Sequence, residues 1–256
     1  AYGGAAATTA ASGDIPPTGD AAHGMSAYGT GSEAVNRGSI TTEGNGAYGM
    51  MAMIGNARGL NEGTITTSGE RGYGMLADGG TDVLAVNRGS IVTSGDMSHG
   101  MAALNGAEAR NADGGTITTS GTGAYGMSAA ANARVANAGT IATSGPGSHG
   151  MYAMTGSTAV NAVSGDITTT GNGSHGMVAN SNGLARNEGS ITTTGNGSIG
   201  MQAIYGSVVR NAASGSIVTS GDMSIGMVAA ETSSADNEGS ITTTGPGSHG
   251  MLAQTD

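Results

Sequence analysis

Ser190-Ile191-Thr192-Thr193-Thr194-Gly195 alternates, so that Ile191 and Thr193 share one face while Ser190, Thr192 and Thr194 share the other. The segment reads as a short β-strand closed by a glycine. Upstream, Met177-Val178-Ala179 alternates in the same way, with Met and Ala on one face. Between the two, Leu184-Ala185-Arg186-Asn187 is a third short strand that leads into an Asn.

The unit recurs along the whole chain. Ile returns from Ile15 and Ile40 to Ile241 with a period of 24–26 residues. Ten residues after each Ile stands a Met, from Met25 to Met251, always preceded by Gly and followed two residues later by Ala. Asn36 to Asn237 complete the frame. Length changes fall between these slots: two residues are added after Asn111, Asn161 and Asn211, and the Met-to-Asn segment varies slightly. A repeat that keeps its strands and varies only its corners is a solenoid. The expectation is an all-β, right-handed parallel β-helix of about ten coils, three short strands per coil. Stacking at about 4.8 Å per coil gives a rod roughly 45–50 Å long. Residues 1–14 read as a lead-in or capping segment and residues 15–256 as the solenoid, a fragment of a longer protein.

Composition agrees. The chain has 256 residues, 50 of them Gly, with no Cys, Trp or Phe. A core without large aromatics must be thin and built from Ala, Ile, Val, Met and Thr. Net charge is −10 and every basic residue is Arg. No basic stripe exists to neutralise phosphates, so nucleic acid is excluded as a partner. No apolar run approaches the length of a membrane span, so this segment inserts into no bilayer.

His23, His99, His149, His175 and His249 all stand two residues before Met, where other coils have Tyr48, Tyr73, Tyr125, Ile199 or Ile225. A slot that accepts all three types reads as a packing position, not a metal site. Glycoside chemistry needs two carboxyls about 5–9.5 Å apart. Asp96 and Asp222 share a slot five coils apart, and Glu188 and Glu238 two coils apart; Asp82 and Glu108 approach only through a long loop. No catalytic residue, cofactor or metal ligand is assigned. Arg37, Glu62 and Arg88 should form a surface charge ladder, and Arg186 and Arg210 should stack side by side, offset only by Asp236. Outward slots beside the Met-Ala strand are often apolar, and Met51, Leu76, Tyr152, Val178, Val228 and Leu252 form a candidate contact stripe. On the Ile strand the outward slots are Ser and Thr, as in Thr64, Thr66 and Ser68.

The string G-[ST]-I-[TV]-T-[ST]-G-x-x-[SA]-[HY]-G-M-x-A resembles the passenger repeats of bacterial autotransporter adhesins. Those often carry S-x-G-I-x-A where this chain has Ser174-His175-Gly176-Met177-Val178-Ala179. The resemblance implies export, display on the bacterial surface through a translocator barrel absent from this chain, and a role in adhesion, aggregation or biofilm formation. Partners would be a host-cell or matrix protein or glycan, or a second copy. The rival expectations are an ice-binding solenoid using the outward Thr ranks, interrupted here by Glu43, Val92, Ala142, Asp166 and Val218, and a polysaccharide-active enzyme.

Overall fold

A computed structural model describes residues 4–255 and shows an all-β, right-handed parallel β-helix. Three parallel sheets of ten strands each run along its axis. They are named here for their inward residues: the asparagine, isoleucine and methionine sheets. Each strand pairs with its counterpart one coil on. Asn87 meets Asn111, Ile91 meets Ile117 and Met101 meets Met127, as the repeat demands.

Register turns the repeated residues into ladders. Ile40 through Ile217 and Met50 through Met227 are fully buried, and Ala27, Ala52 and their successors pack between them. Each such Ile or Met contributes about 1.5–3 kcal/mol by leaving water. The glycine before each Met has a steric cause. A Cβ on Gly126 would overlap Cγ2 of Ile141 and lie 2.6 Å from the Gly150 carbonyl oxygen. The chain therefore passes too close to the next coil for any side chain.

The asparagine ladder is fully buried from Asn36 to Asn211. Each Nδ2 donates to the next Oδ1 at 2.8 Å, as Asn111 does to Asn137 and Asn137 to Asn161. The second Nδ2 hydrogen reaches the corner carbonyl, Gly139 in a short turn and Gly115 in a turn lengthened by two residues. The insertions therefore bulge outward and leave the ladder unbroken. At its N-terminal end Thr9 takes the Asn slot, and its hydroxyl donates to Asn36 Oδ1 at 2.8 Å. The segment before Ile15 thus contributes strand Ala6–Thr8, paired with Glu33–Asn36. Residues 1–3 of that segment, and residue 256, lie outside the described residues.

The threonine that shares a face with Ile is buried in every coil from Thr42 to Thr219. A buried hydroxyl needs a partner in the backbone or in a neighbouring hydroxyl, and in six coils it bonds backbone, as Thr169 donates to the Ser174 carbonyl at 2.9 Å. Thr193 and Thr219 have no partner. The carbonyls they would use, on Ser198 and Ser224, instead accept the backbone N–H of Ile225 and His249.

Candidate functional site

The slot two residues before Met forms the most ordered feature outside the core. His23, Tyr48, Tyr73, His99, Tyr125, His149 and His175 stack face to face in successive coils, with ring centroids 4.6–5.2 Å apart. The histidines do more than stack. Nδ1 of His23, His99, His149 and His175 accepts the backbone N–H of the next coil at 3.0–3.1 Å. Each imidazole is therefore neutral, with its proton on Nε2. Burial holds His99 at about 4, against an ordinary 6.5. Burial, with the neighbouring His175 and His99, holds His149 at about 3, and burial holds His175 at about 4. Where Ile replaces the ring the next N–H bonds a backbone carbonyl, and these are the two coils in which the inward threonine, Thr193 or Thr219, has no partner.

This ring column changes the reading of the neighbouring apolar row. The row faces outward, as alternation requires, with Tyr152 opposite Val178 and Val228 opposite Leu252. Yet Leu76, Val178 and Val228 are only 5%, 2% and 2% exposed, and Met51, Tyr152 and Leu252 are half-buried. These positions do not offer the open stripe that the sequence led us to expect. Tyr152 shows the cause, because its ring lies 5.0 Å from that of Tyr125 and 5.9 Å from that of His149. Apolar exposure moves to the last residue of the strand at Tyr28, and to the position just beyond it at Ile54 and Tyr205. Ile54 and Tyr205 hold left-handed backbone there, with φ of 53° and 55°.

The third outward face belongs to the asparagine sheet and carries charge. Arg37 Nε lies 2.9 Å from Glu62 Oε2, and Arg88 Nη1 lies 4.0 Å from Glu62 Oε1, the expected ladder. Arg186 and Arg210 are adjacent, but Asp236 is not their only counter-charge: Arg186 Nη2 meets Glu188 Oε1 at 3.0 Å. Glu108 is held by Arg110 at 2.6 Å and Arg134 at 3.5 Å. The hydroxyl face of the isoleucine sheet stays open at Thr64, Ser68 and Thr116.

The family model described as BigA third pectate lyase-like domain matches the chain twice, over residues 1–115 and 101–215. The overlap follows from the repeat, which lets one model fit at two offsets. No curated protein and no solved structure matches the chain.

Proposed function

The chain belongs to the BigA third pectate lyase-like domain family, and from that premise we propose that it is a structural and adhesive segment of a bacterial surface protein. The family supports a β-helix domain of a bacterial surface protein. Display by an autotransporter route, and a part in adhesion, aggregation or biofilm formation, are our reading. The observation that carries it is the regularity of the rod: coil after coil repeats the inward Asn, Ile and Met ladders and adds one strand to each of three outward faces. Affinity on such a body comes from repetition along a face.

The same reading makes the segment non-catalytic. Its support is that the carboxylates sharing a slot are held apart by the coil order: Asp96 and Asp222 lie five coils apart, and Ala212 stands between Glu188 and Glu238.

The test is attachment. Beads coated with the 256-residue chain should bind to host epithelial cells, or clump with one another, more than beads coated with an unrelated β-helix. Coated beads that do neither would overturn the adhesive reading.

A further inference from the structure

Of the eight basic residues, all arginines, every one except Arg71 lies on or directly beside a strand of the asparagine sheet. The sequence alone shows no basic stripe, but the folded register gathers these arginines on one face. Glu33, Glu62, Glu108, Glu188, Asp236 and Glu238 lie there too, so this face is near neutral in a chain of net charge −10 and the excess negative charge lies elsewhere. Arg37, Arg58, Arg88, Arg110 and Arg134 occupy successive coils, and Arg186 and Arg210 follow after one uncharged coil at Thr158–Asn161.

The face also has relief. A trough of about 250 Å³ is walled by Arg58, Arg88 and Arg110 and floored by small side chains, including Ala112, Ala136 and Ala138. Further along the axis a second trough of about 480 Å³ is lined by Arg186 and Arg210, with Leu184, Val208, Asp236 and Glu238. Arg58 also borders a third hollow, whose rim carries Asp82.

The guanidinium groups are available. Arg37, Arg88, Arg110, Arg134, Arg186 and Arg210 each lie within 4.0 Å of a carboxylate. These arginine side chains are about half exposed, and ion pairs of exposed side chains contribute little. Arg58 is exposed and makes no ion pair among the described residues.

We propose that the arginine face of the asparagine sheet binds an anionic polysaccharide laid along the rod axis. The inference rests on the surface-display reading above and names the class of partner for one face. Planar guanidinium forks suit sulfate and carboxylate groups, and the complete use of Arg over Lys favours such bidentate contacts. Troughs that recur along the axis serve a chain one sugar wide better than a single small anion, and each weak contact adds to the next. The acidic remainder of the surface repels a polyanion, so binding is confined to this face.

The experiment measures binding of the 256-residue chain to immobilised heparin, hyaluronan and neutral dextran. Heparin, hyaluronan or both should bind, dextran should not, and binding should weaken with salt. Which of the two binds identifies the anion as sulfate or carboxylate. The triple variant Arg58→Ala, Arg88→Ala, Arg110→Ala should lose about tenfold or more in affinity, whereas Arg71→Ala should match the parent. Circular dichroism checks that both variants keep the fold. Failure of both charged glycans to bind would overturn the proposal. So would a folded triple variant that binds as the parent does, an equal loss in Arg71→Ala, or equal binding of single-stranded DNA through the same arginines. If coated beads still adhere to cells when neither charged glycan binds, this inference falls and the adhesive reading stands.

Discussion

Two side chains one residue apart in sequence show how differently position is valued on this rod. Asn61 is buried in the amide ladder, while Glu62 beside it bridges two arginines in solvent. The same contrast holds for Asn137, which accepts from Asn111, donates to Asn161 and bonds the Gly139 carbonyl. Asn137→Ala strands two neighbouring amides in a buried column, so it should destabilise by about 2–4 kcal/mol. Glu62→Gln should change stability by less than about 0.5 kcal/mol. Urea unfolding of the two variants checks both figures, and a Glu62→Gln loss of several kcal/mol would contradict the account. At this scale the ladders were legible because the same residue returns at the same slot. The fate of Thr193 was not, because its hydroxyl lacks a partner in a coil where the neighbouring carbonyl bonds a backbone N–H one coil away.

Along a single column of the helix, direction was readable and coverage was not. Alternation correctly sends Leu76 and Val178 outward, but nothing in a strand pattern says what lies against them. The ring slot was read as tolerant because it holds His, Tyr or Ile. The property its first seven occupants share is a flat ring, and that was the signal available in the sequence. The column carries a pH dependence. The folded-state values of His99, His149 and His175 lie at about 4, 3 and 4, below the ordinary 6.5. Between those limits the unfolded chain binds more protons than the folded one. The histidine contribution is therefore complete above about pH 6.5 and is lost as pH falls toward 4 and then 3. Tyr already occupies this slot in three coils, so replacing His99, His149 and His175 by Tyr keeps the stack and removes their titration, at the loss of three Nδ1 acceptors that does not vary with pH. Melting temperature measured from pH 7 to 4 should fall more steeply in the parent than in the triple variant. Equal slopes would mean that the imidazoles are not held neutral by the fold.

For the whole molecule, architecture was the most legible feature, since a fixed period with corner-only insertions admits few other bodies. Function was less so, because the ladders specify the rod and leave its faces free to vary. The asparagine face shows this: its arginines stand in three different outward slots, and only the folded register gathers them. The central claim is that every coil adds one equal step along one axis. The chain has no Cys, so a pair of spin labels can be placed without background. Thr66 and Thr242 occupy the same outward slot of the isoleucine sheet, with Val92, Thr118, Ala142, Thr168, Thr192 and Val218 between them in register. Labels at Thr66→Cys and Thr242→Cys, read by pulsed electron–electron resonance, should give one narrow distance near 34 Å, from about 4.8 Å for each step. A broad distribution, or a distance far from that value, would contradict the stacked-coil rod on which every other conclusion depends.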